Sequence, residues 1–122
     1  MRARELDLAP MPNIPLTYSK ADGTKDGTLV LKLTGPMTLS TVHVLQEEMR
    51  ELKPQLLIFD LTDSPYMDSA GLGVLMNYYV SAQKNGRRIA LTGVNPRIAM
   101  LLEVTRVNTL LPVFPDAAAA EA

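Results

Sequence analysis

Residues 55–61, QLLIFDL, form a nearly unbroken apolar run bounded by Pro54 and by the turn-forming TDSP. A run this short and this apolar is a strand covered on both faces, as at the centre of a parallel or mixed sheet. The rest of the chain must then supply neighbouring strands and cover for that centre.

The flanking patterns supply both. Ile14, Leu16 and Tyr18 alternate with Pro15, Thr17 and Ser19, and Leu29, Leu31 and Leu33 alternate with Val30 and Lys32. This is the period of two expected of strands. The two Asp-Gly pairs of KADGTKDG between them signal a tight turn, so the first two strands are expected as an antiparallel hairpin, with Pro15 marking the first as an edge. After TGPMT, the residues Val42, Leu45, Met49 and Leu52 share one helical face opposite Glu47, Glu48, Arg50 and Glu51; Thr38 or Ser40 is placed to cap this helix and Pro54 ends it. Leu72, Leu75, Met76 and Tyr79 repeat the helical spacing until Asn85-Gly86 stops it. RRIALTGV at 87–94 reads as a second buried strand, and Asn95-Pro96 as a capped helix start with Ile98, Leu101 and Leu102 inward. NTLLPVFP returns to extended structure, and DAAAAEA reads as a frayed helical turn. The expectation is a single α/β domain over residues 14–115, a mixed sheet of four or five strands in the order β-β-α-β-α-β-α-(β), with right-handed crossovers. Residues 1–13, interrupted by Pro10 and Pro12, are expected as an irregular arm, and 116–122 as an alanine-rich tail.

Composition narrows the function classes. At 122 residues, 47% hydrophobic, 20% charged and a net charge of −1, the chain has room for one core and no excess charge to favour nucleic acid. Without cysteine there is no disulfide and no thiolate chemistry. A lone histidine, His43, set between Val42 and Val44, points away from an imidazole metal site and reads as solvated or structural. No apolar segment follows the N-terminal arginines and none approaches a membrane span, so a cytoplasmic protein is expected.

Chemistry concentrates in YMDSAGLGVLMNYY, residues 66–79. Ser69 follows an aspartate at a strand-to-helix turn, where ligands and partners of open sheets engage. Asp68 or Ser69 can cap the helix, worth about 1 kcal/mol. A nucleophile elbow would need Gly-x-Ser-x-Gly, but Met67 holds the first glycine position and His43 is the only candidate base, so no catalytic residue is assigned. The helix N-terminus with its free N–H groups suits an anion, so a phosphoryl group on Ser69 would be tolerated. The small residues Ala70, Gly71 and Gly73 would let another protein approach the backbone.

FDLTDSPYMDSAGLGVL, with LKLTGPMT before it and ALTGVNPRIAMLLEVTRVNTLLPVF after it, resembles the Asp-Ser-(Ser/Thr)-Gly-Leu-Gly region and flanking elements of STAS domains, specifically the bacterial anti-sigma factor antagonists, over roughly residues 14–115. The resemblance implies a STAS-like fold and a regulator rather than an enzyme. Its serine corresponding to Ser69 is phosphorylated by an anti-sigma factor that is itself an ATP-dependent serine kinase, and a phosphatase resets it. ATP would belong to that partner, with no cofactor, metal, nucleic acid or membrane insertion on this chain, and a homodimer is compatible with it. The partner-binding residues implied are Thr38, Tyr66, Met67, Asp68, Ala70, Gly71 and Leu72. Pro36 and Thr38 stand where the family carries glutamate and aspartate, and Ala70 where it carries a second hydroxyl. The alternative function is a non-phosphorylated STAS scaffold, or a subunit docking on a stress-signalling complex or a transporter ATPase.

Among the remaining residues, Asp60 is expected at the strand end and Asp63 in an Asx-type turn. Tyr79 is expected in the core stripe with Tyr78 exposed or at an interface, and Met67, Met76 and Met100 as core or rim packing, with the methionine beside Ser69 also able to contact a partner.

Overall fold

A computed structural model describes residues 14–122; the proposed N-terminal arm, 1–13, lies outside the described residues. The centre of the molecule is the apolar run, which forms β3 (Leu56–Asp63) in a five-stranded sheet of order β1-β2-β3-β4-β5. Strands β1 (Thr17–Asp22) and β2 (Thr28–Thr34) pair antiparallel, Thr17 opposite Thr34 and Asp22 opposite Leu29. Strands β4 (Arg88–Thr92) and β5 (Val113–Phe114) complete the sheet; β2, β3, β4 and β5 are mutually parallel, with Leu57 opposite Leu29 and Ile89. The expected hairpin and the edge position of β1 are both present, although β1 starts two residues after Pro15 and runs on to Asp22.

Three helices follow the parallel strands: α1 (His43–Glu51), α2 (Ser69–Lys84) and α3 (Pro96–Val104). They share one face of the sheet, where Leu31, Leu33, Leu57, Phe59, Leu61 and Leu91 meet Leu45, Met49, Leu75, Ile98 and Leu102 in one core. Phe59 meets the Tyr78 ring edge-on, with centroids 5.9 Å apart. Tyr78, not Tyr79, belongs to this core: the buried stripe of α2 runs Gly71, Val74, Leu75, Tyr78, Ala82, and Tyr79 is only half-buried. The buried face is rotated from the expected one because glycine and alanine occupy two of its positions. Met67 is buried and Met76 half-buried, whereas Met100 is 60% exposed.

The second face of β3 is covered from an unexpected quarter. DAAAAEA forms α4 (Ala117–Glu121), capped by the Asp116 side chain, which accepts from the Ala119 N–H at 2.9 Å. Ala120 and Ala117 pack on Leu56, Ile58 and Ala90. The small side chains let the helix lie close to the sheet, and its last residues are buried rather than frayed. The Glu121 carboxylate accepts the backbone N–H groups of Thr24 (3.0 Å) and Lys25 (2.8 Å) in the β1–β2 turn, and the Lys25 ammonium donates to the Glu121 carbonyl at 2.6 Å. On the helical side, Glu48 of α1 accepts from Tyr18 at 3.0 Å and pairs with Lys20 at 2.7 Å, tying α1 to the edge strand.

The backbone N–H groups of Thr24 and Lys25 hold the Glu121 carboxyl below its ordinary value of 4.5. A carboxyl with a lowered folded pKa stabilises fully above its unfolded pKa and loses that contribution as pH falls through the folded one. Glu121→Gln is therefore expected to lower the urea midpoint at pH 7, and the gap to wild type should close as the pH is taken down from 4.5 through the folded value. A gap unchanged across that range would show that the charge is not what holds α4 to the turn.

Candidate functional site

The parallel ladder between β2 and β3 does not stop where the strands end. The Gly35 N–H donates to the Asp63 carbonyl at 3.0 Å, and the buried Ser64 hydroxyl donates to the Gly35 carbonyl at 2.8 Å. Next along, the Met37 N–H donates to the Tyr66 carbonyl at 2.9 Å and the Asp68 N–H to the Met37 carbonyl at 3.0 Å. Met37 and Met67 thereby form an isolated parallel bridge, and both side chains are buried. The loops after β2 and β3 are thus zipped into one plate at the carboxyl end of the sheet. Gly35 makes the first step possible: its φ of +109° is a left-handed conformation, and a Cβ there would collide with the Pro15 carbonyl.

Asp68 closes the plate. One carboxylate oxygen accepts the N–H groups of Ala70 (2.9 Å) and Gly71 (3.1 Å), capping α2, while the other accepts the Leu39 N–H at 3.1 Å. One side chain therefore fixes both the helix start and the neighbouring loop. Ser69 is the first residue of α2 and is exposed. Of the two capping residues the sequence allows, the structure uses Asp68. The N–H groups of Ala70 and Gly71 are consequently occupied by the aspartate rather than free for an anion. Nor is Ser69 a strained elbow: among the described residues Arg106 is the one non-glycine with positive φ. His43 is exposed at the start of α1.

The proposed partner residues divide by depth. Tyr66 and Ser69 are exposed and Thr38, Asp68 and Ala70 are half-buried, whereas Met67, Gly71 and Leu72 are buried and shape the plate from beneath. Thr38 does not cap α1, whose start carries no side-chain cap. Its hydroxyl lies 3.2 Å from Ser40 Oγ and 3.4 Å from Thr41 Oγ1, and its N–H donates to Thr41 Oγ1 at 2.8 Å, so position 38 is neutral and locally satisfied. Asp63 is not in a turn but ends β3, paired with Lys32 at 3.1 Å, and Asp60 accepts from the N–H and hydroxyl of Thr62.

Three further residues join the site without a signal of their own in the sequence. Leu39, 79% exposed, stands beside Asp68 as an apolar projection. Arg97 lies over the Tyr66 ring, 5.1 Å from its centroid. Asn95, which reads only as a helix cap, also donates from Nδ2 to the Pro65 carbonyl at 3.1 Å and so ties α3 to the plate. Among the described residues no group of three His, Cys, Asp or Glu side chains could hold a metal ion, and no helix is long and apolar enough to cross a membrane.

The two glycines of α2 differ. A Cβ on Gly71 would meet the Met37 carbonyl, and Met37 Cβ and Met67 Cγ at 2.8 and 2.9 Å, whereas a Cβ on Gly73 would meet nothing within 4 Å. Gly71→Ala should therefore destabilise by about 1–3 kcal/mol through overpacking. Gly73→Ala should stabilise by up to about 1 kcal/mol, the helix-propensity difference. Asp68→Ala, which removes the α2 cap and leaves the exposed Leu39 N–H to water, should cost about 0.5–2 kcal/mol. Urea denaturation of the three variants checks these signs.

Comparison with known proteins places this geometry. The family model described as "STAS domain" matches residues 20–120. The anti-sigma-B factor antagonist of Staphylococcus aureus is 30% identical over 93 residues, covering 74% of this chain and 86% of that protein. Among solved structures, an anti-sigma factor antagonist from Mycobacterium paratuberculosis superposes with a TM-score of 0.77 at 20% identity, over 86% of this chain and 90% of that one. The Bacillus cell fate determinant SpoIIAA in its phosphorylated form superposes with a TM-score of 0.67 at 14% identity, over 86% and 97%.

Proposed function

The chain belongs to the STAS domain family, and on that premise we propose that it is an anti-sigma factor antagonist. It docks on an anti-sigma factor through the plate around Ser69 and is released when that factor, acting as a serine kinase, phosphorylates Ser69. The observation that carries this reading is the placement of Ser69: exposed on the first turn of a helix whose start is immobilised by Asp68, one turn from the bare backbone of Gly73. A surface in which a glycine is kept where alanine would fit and stabilise suits close approach of another backbone. The relative from S. aureus, by its name an anti-sigma-B factor antagonist, supports the same partner class.

The chemistry asked of this chain is small. The γ-phosphoryl group of ATP held by the partner passes to Ser69 Oγ, the hydroxyl proton goes to a base of the partner, and ADP leaves. The phosphate adds about 1.5–2 negative charges next to Asp68. Because Asp68 already occupies the Ala70 and Gly71 N–H groups, the phosphate stays largely uncompensated at the docking surface. Repulsion and desolvation then oppose docking, and each 1.4 kcal/mol lost is a tenfold loss of affinity. A phosphatase restores the unmodified state. The cycle belongs to the cytoplasm, with ATP on the partner, no cofactor on this chain and no contact with nucleic acid.

The neutral Pro36 and Thr38 favour a second reading, a STAS subunit that docks without being phosphorylated, on a stress-signalling complex or a transporter ATPase. One experiment separates the two. Incubation with the anti-sigma factor kinase and ATP should add one phosphate to wild type, located at Ser69 by mass spectrometry, and none to Ser69→Ala; Ser69→Asp should bind the kinase at least tenfold more weakly. Phosphate at another residue, or stable binding with no phosphate transferred, would sink the switch and leave the scaffold.

A further inference from the structure

The C-terminal half of α1 and the middle of α2, with the segments that follow each helix, enclose a groove of about 440 Å³. Arg50, Lys53 and Arg87 line it, with Asn77 and Ser81 on the α2 side, over an apolar floor that includes Met49 and Val74. Among the described residues no carboxylate lines the groove, and the salt bridges lie elsewhere, between Lys20 and Glu48 and between Lys32 and Asp63. Three cations thus converge on one concavity of a chain whose net charge is −1.

Helix C-termini tolerate cations, because their carbonyl ends carry partial negative charge. That accounts for a basic residue at the end of each helix, but not for three facing a common concavity over apolar side chains. Arg87 is also held in place. Its guanidinium donates to the Tyr78 hydroxyl at 3.0 Å and lies 5.5 Å from the centre of the Tyr78 ring, while that hydroxyl donates to the Leu52 carbonyl at 2.7 Å. Burial raises the Tyr78 phenol pKa, with Arg87 pulling it partly back, so the phenol remains a neutral acceptor. Among the described residues the guanidinium is thus oriented by uncharged partners, with no carboxylate paired to it at the groove.

We propose that the groove between α1 and α2 is a binding site for a small organic anion, a phosphate monoester whose phosphoryl group meets Arg87, Arg50 and Lys53 and whose apolar body lies on Met49 and Val74. The site is separate from the Ser69 plate and does not depend on phosphorylation there. A single planar guanidinium, pre-oriented by Tyr78, supplies paired donors to two phosphoryl oxygens. The apolar floor gives a reason for an organic body rather than a bare ion.

Phenyl phosphate and inorganic phosphate are the probes, titrated into the full chain at 150 mM salt and followed by backbone amide NMR. Phenyl phosphate should bind saturably, at least fivefold tighter than inorganic phosphate, with shifts concentrated at residues 49–53, 74–81 and 87. Arg87→Gln should weaken it at least tenfold. So should Arg50→Gln with Lys53→Gln, which alters exposed side chains only and guards against a folding defect in the first variant. Lys84→Gln, the same charge change on an exposed residue outside the groove, should leave binding within twofold of wild type. Shifts that do not saturate, equal affinity for the two probes, or an equal loss in Lys84→Gln would overturn the proposal.

Discussion

The Asp68 carboxylate is the interaction on which the carboxyl end of this molecule depends. Its two oxygens hold three N–H groups from two distant segments, Leu39 lying 29 residues before Asp68. Hydrogen bonds of this kind are individually modest, and these are part-buried or exposed, but one carboxylate accepts all three, so they are made and lost together. They finish a ladder that begins in the sheet, continues through Gly35, Ser64 and Met37, and ends at Leu39. The result is a surface whose shape comes from backbone pairing locked by two side chains, Ser64 and Asp68, that are themselves bonded to the backbone.

The same logic explains why the site tolerates small residues. Gly71 is forced by the Met37 carbonyl packed against it, while nothing among the described residues forces Gly73. An intramolecular reason exists for one and not for the other, and the second is the one that faces outward. Tyr66 with Arg97, and the exposed Leu39 beside Asp68, are an aromatic, a cation and an aliphatic group of the types that anchor interfaces.

Much of this was legible in the sequence, and what escaped has physical causes. The apolar run at 55–61 gave the central strand because burial on both faces leaves no polar position, and the Asp-Gly turns gave the hairpin. The alanine-rich end looked like a frayed turn because alanine carries little periodic signal; its role as cover for Leu56, Ile58 and Ala90 comes from closeness of approach, which hydropathy does not record. The phase of α2 was misread by one position because Gly71 and Ala82 belong to its buried stripe without being large apolar residues. At the site, Asp68 and Ser69 stood out by motif, but the zipped loops did not. Hydrogen bonds such as Gly35 to Asp63, or Asn95 to Pro65, join distant segments through backbone atoms and leave no pattern in residue type.

Because the plate is fixed by its own ladder, a phosphate on Ser69 should act by charge at the proposed docking surface and not by refolding it. Amide NMR of the unmodified chain and of the chain phosphorylated at Ser69, each with and without the anti-sigma factor, tests this most directly. The account expects phosphorylation to shift amides only around residues 38–40 and 66–73 while abolishing the partner-induced changes. Shifts spread through β2, β3 and α1, or an affinity for the partner that phosphorylation leaves intact, would contradict it.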